Sequence, residues 1–210
     1  MRKGTLGAAA LLATIGLLTG CGDYGKVEPE RLNIDGAYSV RPPIVWNQLR
    51  LQSEDMMASR GGEVRDTTPQ EKNKYQLWTV DGANLDALWF FTGLEDGETL
   101  FLPPQPPGTP AFDRDMKAND VMQLVVDTLA RSKYKRIETK GLRPASFGAQ
   151  KGFRFEFSFR TRNGLIMKGM ALGTVADGRL YLITFHGSGI YHFDRYRDAV
   201  EGLFASIQGV

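Results

Sequence analysis

The segment Gly152-Phe153-Arg154-Phe155-Glu156-Phe157-Ser158-Phe159-Arg160 decides the fold. Four phenylalanines alternate with charged or polar residues, and a period of two is that of a β-strand with one buried face. The dipeptide Asn163-Gly164 follows, and it is the strongest short hairpin signal because both residues tolerate positive φ. The segment therefore predicts a strand that buries a row of aromatic rings, exposes Arg154, Glu156 and Arg160 on its other face, and then turns back antiparallel.

The chain around this strand predicts an antiparallel meander. A second strand is expected from about Leu165 to Val175, and a third from Arg179 to Phe185 after the tight turn Asp177-Gly178. Earlier segments that read as short strands are Tyr38–Val40, Val45–Leu51, Leu77–Val80, Ala87–Phe91 and Glu98–Leu102.

Two amphipathic helices are predicted, one before the meander and one after it. The first has Asp115 or Asn119 as its candidate N-cap, and the last has Asp194 in its first turn. An amphipathic helix needs a sheet face to cover, so the element order predicts an α+β fold, a curved antiparallel sheet covered by two main helices. The apolar faces are formed by Val121, Met122, Val125, Val126 and Leu129 in the first helix, and by Phe193, Tyr196, Val200, Leu203 and Ile207 in the last.

The N-terminus has the composition of an export signal. Arg2 and Lys3 precede an apolar run from Gly4 to Leu18, which is shorter than the roughly 20 residues of a spanning helix. With Leu18-Thr19-Gly20-Cys21 behind it, the run resembles a bacterial lipoprotein signal with its lipobox. That resemblance implies cleavage before Cys21 and attachment of acyl chains such as palmitate, two or more of which anchor a protein stably. An ordinary secretory signal with a chance cysteine, or a short buried helix, is the alternative.

Loss of this leader changes the charge and the cysteine chemistry. The 26 Lys and Arg fall to 24 without Arg2 and Lys3, which equals the 24 Asp and Glu. A neutral mature chain gives no support to nucleic-acid binding. Cys21 is the only cysteine, so a mature chain acylated there has no free thiol for disulfides or catalysis. Gly22 stands where an Asp would retain a lipoprotein in the inner membrane, so a periplasm-facing position on the outer membrane is favoured.

The expected organisation has three parts. Residues 1–20 are the signal peptide, residues 21–35 are the lipidated cysteine with a flexible tether, and residues 36–210 are a single domain. Within the domain, the long polar stretch Gln52–Lys74 is typical of a mobile or functional loop. The stretch Pro103–Pro110 is typical of a stiff extended connector.

Several stretches resemble the PsbP-like family of accessory domains, which includes bacterial envelope lipoproteins. They are Gly178–Phe185, Tyr191 with Phe193, the end of the terminal helix at Leu203–Ile207, and the opening Tyr38–Trp46. The resemblance implies an α/β/α sandwich and a non-catalytic binding or assembly role at a membrane, with an envelope protein as partner. It transfers no functional residue.

The densest group of polar side chains is His186, Ser188, His192 and Asp194. A hydrolase would use Ser188 as nucleophile, one histidine as base and Asp194 to orient it. The nucleophile-elbow pattern needs glycine two residues before and after the serine, where this chain has His186 and Ile190. A metal site at His186, His192 and Asp194 matches no zinc spacing. The favoured interpretation is a structural Gly-Ser-Gly loop that joins a strand to the last helix, with Asp194 or His192 as a cap near the helix start. It includes no catalytic residue, metal or cofactor.

Three small residues, Gly169, Ala171 and Gly173, fall on one face of the second meander strand. Small side chains allow close approach, so we expect the last helix to pack into this trough. The alternative is the floor of a site for a small apolar ligand or lipid. The sequence thus favours a tethered docking domain, whose expected contact surfaces are Gln52–Lys74 and the residues Arg154, Glu156 and Arg160. A carrier of a lipid is the second interpretation, and a hydrolase is the third.

Overall fold

The computed structural model describes residues 24–49, 51, 74–102 and 107–209. The predicted signal peptide, Cys21, residues 52–73 of the polar stretch and residues 103–106 lie outside the described residues. The described residues form eleven strands and two helices, in the order β1 Tyr24–Val27, β2 Leu32–Ile34, β3 Tyr38–Val40, β4 Trp46–Leu49, β5 Tyr75–Thr79, β6 Asp86–Leu94, α1 Ala118–Arg131, β7 Lys135–Phe147, β8 Gln150–Arg160, β9 Ile166–Ala176, β10 Arg179–Ser188, α2 His192–Ala205 and β11 Gln208–Gly209.

Eight of these strands form one antiparallel sheet in the order β1-β4-β5-β6-β10-β9-β8-β7. The predicted meander, β8-β9-β10, lies in the second half of this order. A smaller sheet, β11-β3-β2, joins the C-terminal residues to an early part of the chain, with Gln208 opposite Ser39. The predicted fold class, an antiparallel sheet covered by two helices, is confirmed.

The large sheet separates two hydrophobic cores. On one face, α2 packs with Trp46, Phe185 and Met170, and on the other face α1 packs with the phenylalanine row of β8. Consecutive residues of a strand point to opposite faces, so Leu182 and Ile183 of β10 enter different cores. The predicted burial of Phe153, Phe155, Phe157 and Phe159 is confirmed, since each of these side chains is buried.

The two predicted tight turns differ in their agreement with the structure. Asp177 and Gly178 both have positive φ, 52° and 71°, and join β9 to β10 as expected. The β8–β9 turn is centred one residue earlier than predicted, on Arg162 and Asn163, and Gly164 N donates to Thr161 O at 3.0 Å. Only Gly164 there has positive φ, 88°, because it closes the loop behind the turn, so β9 starts at Ile166.

The flexible tether predicted for residues 21–35 is wrong for most of its length. β1 lies within it and pairs with β4, from Tyr24 opposite Leu49 to Val27 opposite Trp46. β2 also lies within it, and the side chains of Val27 and Ile34 are buried. These two strands were not predicted because they are short and polar, and only a few of their residues are apolar and reach the core.

Two further strand predictions need correction. Glu98–Leu102 is not a strand, and only an isolated bridge joins Thr99 to Ala111 there. β7 was not predicted, because it is an edge strand with both faces largely exposed and two register shifts, and its residues show no alternation.

The predicted apolar face of α2 is confirmed, and that of α1 is confirmed in part. In α1 the buried Leu124 was not predicted, and Val126 is partly buried and does not belong to the core. α1 begins at Ala118 with Lys117 as its N-cap residue, so the predicted caps Asp115 and Asn119 are wrong. The Asp120 carboxylate accepts the Lys117 backbone N–H at 2.8 Å. α2 ends at Ala205, so Ile207 lies beyond the helix, although its side chain is buried in the same core.

Candidate functional site

The glycine trough of β9 is filled, and not by the last helix. A Cβ on Gly169 would collide with the ring of Phe157, and one on Gly173 would lie 2.9 Å from Leu182 and 3.0 Å from Phe153. Ala171 belongs to the core beneath α1, whereas α2 packs on the opposite face. The expectation that the last helix packs into the trough is therefore wrong. The same aromatic rings occupy the space that the floor of a ligand site would need.

The predicted contact face on β8 is covered by α2. Arg154 forms a bidentate ion pair with Glu201, with 3.0 Å between Nη1 and Oε2. Glu156 pairs with Arg197 of α2 at 3.2 Å and with Lys140 of β7 at 3.3 Å. Alternation correctly separated two faces but did not reveal that a helix covers the polar one, so Arg154 and Glu156 fasten α2 and are not free for a partner.

Arg160, the third residue of the predicted contact face, has a different environment. It stands directly opposite Lys135 on one side and Ile166 on the other, at the end of β8. Its Nε is buried and lacks a hydrogen-bond partner among the described residues. Lys135 and Arg160 thus place two positive charges side by side at this corner, where like charges directly opposite each other repel.

A Ser–His–Asp array does form, with an aspartate that the sequence did not indicate. Ser188 Oγ and His192 Nδ1 are 2.7 Å apart, and His192 Nε2 lies 3.6 Å from Asp81 Oδ2. The hydroxyl of Tyr196 donates to the same Asp81 oxygen at 2.5 Å. The array thus joins the end of β10, the first turns of α2 and the β5–β6 loop.

The contacts of this array hold the end of β10, the start of α2 and the β5–β6 loop together. The side chain of Ser188 is buried, with 4% of the residue exposed, and its oxygen also lies 3.4 Å from the backbone nitrogen of His192. A nucleophilic oxygen must be reachable by the atom it attacks. Ser188 instead holds the first turn of α2 against the strand that precedes it.

The other two predicted site residues lie apart from this array. Asp194 forms an ion pair with Lys168 at 3.4 Å. His186 contacts the ring of Phe159, on the face of the sheet that α1 covers, and burial lowers its pKa to about 4. Within the described ranges, no group of three or more His, Cys, Asp and Glu side chains is placed to hold a metal ion. The structure therefore brings Ser188 and His192 together but not His186 or Asp194.

A buried carboxylate that the sequence analysis missed holds the β5–β6 loop in shape. Asp86 accepts hydrogen bonds from the backbone N–H groups of Val80 and Asp81, at 2.7 and 2.8 Å. Burial raises its pKa, and these hydrogen bonds act in the opposite direction. The sequence Asp81-Gly82 identified the turn, but only the fold shows that Asp86 positions Asp81 beneath Tyr196.

Exposed apolar side chains gather at one end of the large sheet, which we call the loop end. It contains the start of β4, β6 and β9 and the exit from β10, as the pairs Asp86–Gly187 and Met167–Ser188 show. Backbone bonds hold its loops together: Ser188 N donates to Leu85 O at 2.9 Å, and Gly189 N to Ile166 O at 2.8 Å. The apolar residues of the loop end are Val45, Leu85, Ile166, Ile190 and Tyr191, with Ile190 the most exposed at 83%.

Searches by sequence and by structure gave different results. No family model matches the chain, and no curated protein matches it.

No helix among residues 24–49, 74–102 and 107–209 has the length and hydropathy to cross a membrane.

Two solved structures show the structural similarity. LpqN of Mycobacterium tuberculosis, a protein involved in cell envelope biogenesis, superposes at 12% identity over 89% of this chain and 84% of its own, with a TM-score of 0.35 that is too low to establish a common fold. The solution structure of cyanobacterial PsbP (CyanoP) from Synechocystis sp. PCC 6803 superposes at 12% identity over 99% of this chain and 100% of its own, with a TM-score of 0.51. At this level the similarity concerns the fold alone: the chain has a PsbP-like fold.

Proposed function

We propose that the protein is a membrane-tethered envelope lipoprotein, acylated on Cys21, whose folded domain is a non-catalytic docking or assembly accessory. The observation that carries the proposal is that the domain's own side chains occupy the two interior sites that the sequence suggested. Phe153, Phe157 and Leu182 occupy the glycine trough, and the Ser188–His192 hydrogen bond holds the first turn of α2. With these two interior sites occupied, the domain acts through its surface.

The leader supplies the reason for a membrane address. The lipobox-like Leu18-Thr19-Gly20-Cys21 ends three residues before β1 begins at Tyr24. Such a short connection would hold the domain close to the bilayer, where confinement raises the effective concentration of any partner in the same layer. Weak contacts then suffice for assembly. Gly22 after the cysteine favours the outer membrane over the inner membrane.

The anchor is tested by acylation and sorting. Cells that express the full chain should incorporate labelled palmitate, and Cys21→Ala should abolish both the incorporation and recovery in membranes. Gly22→Asp should keep the acyl group and move the protein to the inner membrane. Palmitate incorporation that survives Cys21→Ala would refute the anchor, and unchanged sorting of Gly22→Asp would refute the outer-membrane assignment.

Docking is tested at the predicted contact segment Gln52–Lys74, of which only Lys74 is described. β4 and β5, which flank this segment, are antiparallel neighbours, so a short Gly-Ser turn between Leu51 and Lys74 can replace it without separating the strands. We expect the shortened protein to lose a discrete crosslink to an envelope protein while it remains acylated and folded. The exposed Lys151→Glu variant is the control that changes charge elsewhere. Retention of the crosslink after the replacement would exclude this segment as the docking surface.

The two alternative functions are less well supported. A lipid carrier needs an internal space, and Phe153, Phe157 and Leu182 occupy the one that the sequence suggested. A hydrolase needs an accessible nucleophile, and Ser188 is buried within the array that it completes.

A further inference from the structure

The loop end has a second property besides its exposed apolar residues, which is positive charge. Between residues 131 and 162 the chain carries ten Lys and Arg but two Glu, whereas the rest of the chain after Cys21 has 14 basic and 22 acidic residues. This segment runs from the end of α1 through β7 and β8 to the β8–β9 turn, at one edge of the large sheet. The mature chain is near neutral as a whole, but its positive charge is concentrated in this segment and the rest of the chain is net negative.

Six of these cations lie at the loop end. The register places Lys135 opposite Arg160 and Arg160 opposite Ile166, so positive charge directly adjoins an exposed apolar side chain. No ion pair to these six side chains occurs within residues 24–49, 74–102 and 107–209. The six cations are Arg131, Lys133, Lys135, Arg136, Arg160 and Arg162.

The acidic residues of the same end lie away from the six cations: the exposed Glu28 and Glu30 follow β1, at the opposite edge of the large sheet from β7. Asp194 is paired with Lys168, and Asp81 accepts the hydroxyl of Tyr196. A further cation, Arg195, lies over the ring of Tyr191, 5.1 Å from its centroid. An exposed tyrosine beside a guanidinium suits a boundary between an apolar layer and water.

We propose that the loop end lies on a bilayer with anionic headgroups, inserting its apolar loop tips while the cations contact the lipid phosphates. Separated apolar tips framed by Lys and Arg are the pattern of proteins that bind membrane surfaces. From β4 to β9 the tips span four strand spacings, roughly 19 Å. A protein partner concentrates its binding energy in a compact desolvated centre. A fluid planar surface accepts tips that are spread out.

The position of the proposed anchor is compatible with this orientation. β1 runs toward the loop end, and Val27 reaches it beside Trp46, three residues or about 10 Å beyond Tyr24. The three Cα–Cα steps from Cys21 to Tyr24 can span about the same distance. The acyl group and the loop end can therefore reach one bilayer surface. The inference rests on the proposed function only in assuming that Cys21 holds the domain near a membrane.

The test measures which end of the domain is immersed. The full chain is purified in its acylated form and placed in vesicles of phosphatidylglycerol mixed with phosphatidylcholine, or of phosphatidylcholine alone. A nitroxide is attached at Ile190→Cys, or at the control Lys151→Cys, an exposed position at the opposite end of β8. Cys21 is blocked by its acyl group, so the introduced thiol is the one that reacts. The measured quantity is the ratio of the nitroxide's collision rate with oxygen to its collision rate with a water-soluble nickel complex. A high ratio means that the probe is immersed in the bilayer.

We expect the Ile190 probe to favour oxygen several-fold more than the Lys151 probe in the anionic vesicles. The Arg160→Glu, Arg162→Glu pair should cut that ratio to the value seen in phosphatidylcholine alone. Equal exposure of both probes to nickel in the acylated protein would overturn the proposal and leave the loop end free for a protein partner. Immersion that is indifferent to lipid charge would also overturn it. Loss of the acyl group, detected by intact mass, would instead indicate failure of the anchor.

Discussion

Arg154 in β8 and Glu201 in α2 are joined by two hydrogen bonds, one of them 3.0 Å between Nη1 and Oε2. The pair is largely shielded from solvent, with 19% of the Arg154 side chain and 33% of the Glu201 side chain exposed. It lies on the face of the sheet where the sequence predicted a free contact surface. Arg154 therefore contributes to the attachment of α2.

The Arg154–Glu201 pair is expected to stabilise the fold modestly. Arg154→Ala should lower the free energy of unfolding by about 1–2 kcal/mol, because it leaves a partly shielded carboxylate without its partner. Arg162→Ala, at an exposed turn position, should change it by less than about 0.5 kcal/mol. Urea denaturation of the native protein, of Arg154→Ala, of Glu201→Ala and of the double variant gives the coupling energy between the two side chains. A coupling energy of zero would show that the pair contributes nothing to stability.

The filled trough of β9 predicts a steric effect. Gly169→Ala should destabilise the protein by roughly 1–3 kcal/mol, because its Cβ would enter the Phe157 ring. Adding Phe157→Leu should recover part of that loss. Gly25→Ala in β1 is the matched control, since its Cβ would meet no atom within 4 Å. If Gly169→Ala and Gly25→Ala have the same melting temperature, the trough is not filled in solution.

His186 predicts a loss of stability in mild acid. Burial lowers its pKa to about 4, whereas the same side chain in the unfolded chain titrates near 6.5. The unfolded state therefore binds more protons as the pH falls through 6.5, and stability is lost progressively down to the folded-state pKa. Between about pH 7 and about pH 4.5 the loss attributable to His186 is roughly 2–3 kcal/mol.

The measurement compares the native protein with His186→Gln, which keeps a neutral polar side chain at all these pH values. Urea unfolding near neutral pH and in mild acid should show a shallower pH dependence for the variant. Parallel pH profiles for the two proteins would mean that His186 is protonated as easily in the folded state as in the unfolded chain.

The Ser188–His192–Asp81 array predicts an absence of serine reactivity. A fluorophosphonate probe should label the native protein no more than Ser188→Ala, because the Ser188 oxygen is buried and hydrogen-bonded to His192. Ser188→Ala should at the same time cost about 1 kcal/mol of stability through the lost hydrogen bond. Labelling that disappears only in Ser188→Ala would restore the hydrolase hypothesis.

The elements predicted from sequence are those whose local pattern matches their environment. The phenylalanine row of β8 alternates because one face meets a core, and Asp177-Gly178 forms its turn because both residues accept positive φ. β7 has neither property. It is an edge strand with register shifts before Glu138 and Arg143, so its sequence carries no period.

The candidate site was less accessible to sequence reasoning, for a physical reason. Alternation in β8 shows that Arg154 and Phe155 face opposite ways, but it cannot show that α2 covers the Arg154 side. Ser188 and His192 are near in sequence and belong to one predicted group, but the sequence does not choose between His186 and His192 as the partner of Ser188. Asp81 comes from a loop more than 100 residues away, where only the β6–β10 pairing brings it beneath α2.

The pairing of β6 with β10 also constrains when the protein can fold. Asp86 pairs with Gly187 in the sheet only after β10 has been synthesised, and Tyr38 pairs with Gly209, which is synthesised later still. A chain still emerging from the ribosome thus lacks the strands that close both sheets. The antiparallel order of both sheets is therefore reached only after most of the described residues have been synthesised.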